Sequence, residues 1–164
     1  NGRYILNLTH EDFAKEINNY FKQFLDSNKY KAIQSYDIND ISVMIKQRCK
    51  TLNDAIMLTE FLYLEPKFES KSEIQIMCDN PEQCQTILTN SIDSLNDIQE
   101  FTTENIESTL KSLMTILEVK PKHLLGTLRI VITNQKISPP IFDCLYILGK
   151  KESIKRIQSA IDYL

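Results

Sequence analysis

The chain has 164 residues, 42% of them hydrophobic and 25% charged, with a formal net charge of -3. This is a globular composition, which excludes an extensively disordered chain. It is also not basic, so a nucleic-acid partner would have to be held by local cationic groups rather than by the whole surface.

The pattern is helical almost from the start. Thr9 reads as an N-cap with Asp12 three residues on, and Leu8 and Phe13 have the spacing of a hydrophobic staple. Phe13, Ile17, Tyr20, Phe21 and Phe24 then recur at helical period. The start signal returns at Asp37, with Asp40 after it and Ile38, Ile41, Ile45 and Cys49 behind. It returns again at Thr51, with Asp54 after it and Leu52, Ala55, Leu58 and Leu62 behind. Three short amphipathic helices are therefore expected in the first part of the chain. The stretch EPKFESKSEIQIMCDN (Glu65 to Asn80) breaks the pattern and reads as a linker, with a subdomain boundary near residue 70.

Helices resume at Asn80-Pro81, a cap followed by proline at the first helical position. Cys84, Ile87, Leu88, Ile92, Leu95 and Ile98 form its core stripe. Thr102 caps a helix carrying Ile106, Leu110, Leu113 and Leu117, and Pro121 opens one carrying Leu124, Leu125, Leu128, Val131 and Ile132. Asn134 suits the left-handed position that ends it. Ser138 then reads as the cap of a helix that starts at Pro139 and stops at Gly149, and a last helix holds Ile154, Ile157, Ile161 and Leu164. About eight helices are expected, with no fixed-period repeat. The fold class is all-α: two small helical-bundle subdomains in tandem, residues 1–70 and 71–164.

Chemistry is sparse. With three glycines the chain offers no GxGxxG or P-loop, and it has no GxSxG or HExxH. The acidic residues fall mostly at helix starts, where Asp37 and Asp40 are explained by capping rather than by a catalytic dyad. Cys49, Cys78, Cys84 and Cys144 match no CxxC or zinc spacing, and reduced, partly buried thiols are expected. His10 and His123 have no ligand companions, so no metal is expected. No apolar run is long enough for a membrane. The chain opens Asn-Gly-Arg-Tyr, without Met or signal peptide, and is expected to be a piece of a longer protein. The four arginines, Arg3, Arg48, Arg129 and Arg156, stand out against fifteen lysines. Their planar forks suit a base edge or a phosphate, though ordinary surface ion pairs would also account for them.

Three segments carry a resemblance. NGRYILNLTHEDFA, QRCKTLNDAIMLTEFLY and LGTLRIVITNQKISPPIFDCLYILGKKESIKRI resemble, in that order along the chain, stretches of the C-terminal region of bacterial-type glutamyl-tRNA synthetases. The resemblance implies two helical cages that grip the anticodon loop of tRNA(Glu). The first, residues 1–70, would lie on the stem and anticodon side, and residues 71–164 would form the second, anticodon-binding subdomain. The adenylation motifs of the family are absent. The parent would be a glutamate–tRNA ligase using ATP and Mg2+, and this chain would bind neither. A cytoplasmic monomer is implied, with no DNA and no membrane partner. A helical protein–protein interaction module is the alternative.

Residue by residue, Arg48 matches the family arginine that reads the third anticodon base. Cytosine presents acceptors to a guanidinium there, and guanine presents donors. A surface pair with Asp54 or Glu60 is the other reading of Arg48. Arg129 matches an arginine at the anticodon site, and Ser138, Pro139 and Ile141 match the turn and helix start beside the splayed bases. Ile141 could support an unstacked base, and the helix start could offer N–H groups. Phe142 has a ring that could stack, with the core its expected place. A basic strip of Arg48, Arg129 and Lys136 would favour RNA. Two departures stand out: Asn134 replaces a common Gly, and Thr127 replaces a common Pro and is expected to loosen the helix entry. Arg156 matches a closing-helix arginine with a structural role, and Glu65 to Asn80 matches poorly.

Overall fold

The chain is seen in a computed structural model that describes residues 2–135 and 137–164. Among them stand eleven α-helices, two 3-10 turns and no strand. All eight expected helices are there, and three short ones join them. The backbone divides into two compact units, one ending at Leu64 and the other running Glu65–Leu164.

The first unit holds α1 (Gly2–Asn7), α2 (His10–Phe24), α3 (Ser27–Ile33), α4 (Ile38–Ile45) and α5 (Leu52–Leu58), with 3-10 turns at Lys46–Arg48 and Glu60–Leu62. Each main helix starts where its capping residue dictates. Thr9 Oγ1 accepts the Asp12 N–H at 3.0 Å, Asp26 accepts the Lys29 N–H at 2.9 Å, and Asp37 accepts the Asn39 N–H at 2.8 Å. Thr51 and Asp54 complete a reciprocal capping box.

The apolar stripe of α2 buries Phe13, Ile17 and Phe21 completely, facing α4 and α5 with Ile41, Ile45 and Ala55. Each large side chain taken out of water contributes about 1.5–3 kcal/mol. Phe24, expected on that stripe, is 57% exposed instead. It lies in the last turn of α2, past the end of the core, and stacks on Tyr20 with centroids 4.3 Å apart.

The second unit holds α6 (Lys71–Gln75), α7 (Pro81–Asn96), α8 (Thr103–Leu117), α9 (Pro121–Thr133), α10 (Ile141–Leu148) and α11 (Lys150–Tyr163). The stretch read as a linker thus carries α6, which packs its fully buried Ile74 near α7 and α9. The central helix is α9, packed by α6, α7, α10 and α11. It is buried almost all round, which fits its near-continuous apolar sequence. Gly126 makes one close approach possible. A Cβ there would stand 3.0 Å from Met77 Cγ in the turn after α6.

Asn134 ends α9 at φ 55, the left-handed conformation expected of it. Gly149 sits at φ 84 between α10 and α11, and Arg156 closes the bundle. Its Nη1 donates to the Ile132 carbonyl at 2.6 Å and its Nε to Glu152 Oε1 at 3.0 Å, while the side chain is buried. Thr127 lies well inside α9, so it does not touch the helix entry.

Candidate nucleic-acid interface

Arg129 and the turn after α9 form a connected polar group in the second unit. Arg129 is half-buried on α9, and its Nε donates to Ser138 Oγ at 3.1 Å. Ser138 Oγ in turn donates to the Pro139 carbonyl at 2.8 Å. The serine is only 6% exposed, so the bond lies in a partly dry setting. One helical turn on, Thr133 Oγ1 donates to the Arg129 carbonyl at 2.6 Å and accepts the Gln135 N–H at 3.2 Å. These bonds tie both ends of the turn to α9. They fix Nε and leave the two Nη groups of Arg129 without a protein partner among the described residues.

This geometry corrects the reading of Ser138 as a helix cap. The helix starts at Ile141, with Pro140 at the cap position and no side-chain cap bond. The cause is the proline pair. A residue before proline is pushed out of helical backbone, so Pro139 cannot open a helix while Pro140 follows it. Ser138 is left free to serve Arg129.

Pro139 is buried, and Ile141 is 2% exposed with its side chain in the core. The apolar side chain that the turn does present is Ile137, at 84% exposure. Sequence reading missed it. Its only signal was its place in a polar turn between Lys136 and Ser138. Phe142 is half-buried. Lys136, part of the expected basic strip, lies outside the described residues. A hollow of about 250 Å³ beside the end of α9 is lined by Glu73, Ile76, Ile130, Asn134 and Gln135.

Arg48 belongs to the other unit. It ends the 3-10 turn Lys46–Arg48 and is exposed. No carboxylate among the described residues pairs with it. Asp54, one of the two expected alternatives, is otherwise engaged. Its Oδ2 accepts the N–H groups of Lys50 and Thr51, both at 2.9 Å. The Thr51 N–H, and then that of Lys50, hold this carboxyl below its ordinary range. Neighbouring Lys46 behaves differently, because it is buried and donates to the Leu6 carbonyl at 3.1 Å near the end of α1. Of the two cations in this turn, one is therefore structural and one is presented to solvent.

Among the described residues no group of three or more His, Cys, Asp or Glu is placed to hold a metal, and no helix is long and apolar enough to cross a membrane. Arg129, Ser138, Pro139 and Ile141 are brought together in one unit, and Arg48 stands in the other.

The comparisons with known proteins fit this frame. The sequence model of a family described as anticodon binding domain matches residues 12–161. A glutamate–tRNA ligase of Corynebacterium diphtheriae is 28% identical over 160 residues, covering 97% of this chain and 32% of that protein. One from Chloroflexus aurantiacus is 28% identical over 166 residues, covering 98% and 33%. The chain thus spans about a third of the length of these relatives. The fold matches the crystal structure of a glutamate tRNA ligase from Elizabethkingia meningosepticum in complex with its amino acid. The TM-score is 0.80 at 18% identity, over 100% of this chain and 31% of that one. The chain belongs to the anticodon binding domain family and is similar to the matching third of glutamate–tRNA ligases.

Proposed function

We propose that this chain recognises the anticodon loop of tRNA(Glu) as part of a glutamate–tRNA ligase. The remaining part of such an enzyme would activate glutamate with ATP and Mg2+ and charge the tRNA. This chain would act as a monomer in the cytoplasm and would need neither cofactor itself. The observation that carries the reading is the pairing state of two arginines. Arg48 is exposed with no carboxylate partner among the described residues, and Arg129 is held by Ser138 through Nε with its Nη groups unused. Guanidinium N–H groups without a carboxylate partner among the described residues are what a surface needs to meet base edges and phosphates.

The roles divide accordingly. Arg48 donates to the acceptors on the pairing edge of a third-position cytosine and is opposed by the donors of guanine. Arg129 donates through Nη to a base or a loop phosphate. Ser138 aims Arg129, Pro139 and Pro140 hold the turn extended, and Ile137 offers an apolar face to a splayed base. Ile141 anchors the start of α10 from the core. The net charge of -3 leaves no general pull on nucleic acid, so binding rests on these local groups and DNA is not a target. The protein–protein alternative has no support from the family assignment.

The test uses two glutamate anticodon stem-loops, with C or G at the third anticodon position, at one stated salt concentration. A well-placed arginine contact discriminates by about 1–3 kcal/mol. The native chain is expected to prefer C by that margin, and Arg48→Ala to lose the preference. Equal binding of both loops by the native chain would remove Arg48 from base reading.

A further inference from the structure

The hollow at the end of α9 adjoins the stretch that holds Arg129, and none of the roles assigned above uses it. It measures about 250 Å³ and is lined by Glu73, Ile76, Ile130, Asn134 and Gln135. Ile130 follows Arg129 on α9, and Ile76 ends α6 with 53% of its surface exposed. The two isoleucines give the hollow an apolar wall. The Gln135 N–H is bonded to Thr133 Oγ1, and that hydroxyl also holds the Arg129 carbonyl. Hollow and arginine therefore share one fixed length of backbone.

The polar groups of the hollow include two hydrogen-bond acceptors. Glu73 is half-buried, and its Oε2 accepts the Glu69 N–H at 3.4 Å. Its Oε1 meets no donor among the described residues. Asn134 donates through Nδ2 to the Lys67 carbonyl at 3.3 Å, which leaves its Oδ1 as a second acceptor. The same bond pins the backbone of Lys67, an exposed cation, to the end of α9.

These features select an occupant. An apolar wall suits a flat unstacked ring. Acceptors suit an exocyclic amino group, which carries two N–H donors. The Glu73 carboxylate repels phosphate, so the ring enters and the backbone of the nucleotide stays outside, where Lys67 and the Nη groups of Arg129 can meet it. Those cations oppose a lysine or arginine side chain of a protein partner. The volume lies below the about 300–1,000 Å³ of pockets that enclose drug-sized molecules, which suits a single base.

We propose that this hollow receives one splayed, amino-bearing base of the RNA loop, with Glu73 accepting from its exocyclic amine. Adenine, cytosine and guanine carry that group, whereas uracil turns carbonyl oxygens toward the carboxylate and is opposed. The contact is separate from those assigned to Arg48 and Arg129, and it rests on the reading of this chain as an anticodon-loop binder.

The test is NMR of the native chain, methyl-labelled at isoleucine, with the glutamate anticodon stem-loop and the scrambled hairpin. Intermolecular NOEs are expected from the Ile76 and Ile130 methyls to the ring protons of one amino-bearing loop base. Replacing that base by uridine should remove the NOEs and weaken binding about tenfold, the effect of losing one hydrogen bond to a charged group. Glu73→Ala should weaken the native loop by a similar factor and leave the uridine loop unchanged. A merely structural role of Glu73 would weaken both loops alike and overturn the assignment of its carboxylate. If the stem-loop binds selectively while both methyls stay silent, or if the base they touch is uracil, the hollow is not this site and anticodon recognition stands. If the stem-loop binds no better than the scrambled hairpin, both readings fall. The NOEs of the native chain decide occupancy, so that result does not require the variant to fold.

Discussion

Replacing Ser138 with alanine removes one hydroxyl and two hydrogen bonds, to Arg129 Nε at 3.1 Å and to the Pro139 carbonyl at 2.8 Å. A bond to a charged group contributes about 1.5–3 kcal/mol when well buried. Arg129 is half-buried, so solvent takes over part of that interaction. The Pro139 carbonyl keeps a second donor, Cys144 Sγ at 3.6 Å. The expected loss of stability is therefore at the low end, about 1–2 kcal/mol, or roughly 3–6 °C in Tm for a chain of this size. Arg129 would lose its aim as well, and affinity for the anticodon stem-loop should fall about three- to tenfold. The assay is a double-mutant cycle over Ser138→Ala, Arg129→Ala and both, read by thermal unfolding and by stem-loop binding. A coupling of about 1 kcal/mol is expected in both readouts. If Ser138→Ala binds RNA like the native chain while Arg129→Ala does not, Ser138 does not aim the arginine.

Two further outcomes follow from local geometry. Thr51→Ala dismantles the capping box and should cost about 1 kcal/mol by chemical denaturation. The folded state holds the Asp54 carboxyl below its unfolded value, through the Thr51 and Lys50 N–H groups. Its contribution is thus full above the ordinary carboxylate range and is lost as pH falls through the lowered folded value. Native chain and Asp54→Asn should differ in stability at neutral pH and converge in acid, and a constant gap would contradict the assignment. Gly149→Ala should cost about 1–2 kcal/mol, because φ 84 strains any side chain although open space surrounds the position. An unchanged Tm would show that the α10–α11 junction relaxes freely.

Much of this fold is legible in the sequence because its starts are encoded within four residues. Thr9, Asp37, Thr51, Asn80 and Thr102 all cap the helices expected of them. The short helices α1, α3 and α6 escape because five to seven residues make fewer than two turns, too few for an apolar period to show. Asp26 did carry a cap signal for α3. The candidate site is harder to read. Ser138 looks like a cap by its neighbours, but a tertiary bond from Arg129 and the second proline decide its role. Ile141 is buried, and not beside a splayed base as expected, because the helix begins two residues later than its first proline suggests, and Ile137 is the apolar residue the turn exposes.

The most direct measurement of the proposed role is the affinity of the native chain for the glutamate anticodon stem-loop against a hairpin with the same stem and a scrambled loop. Both are measured at the same salt, because phosphate contacts alone would bind both. Binding of the glutamate loop at least about tenfold more tightly, a difference of about 1.4 kcal/mol, is the expected result. Equal affinity for the two hairpins would contradict anticodon recognition by this chain.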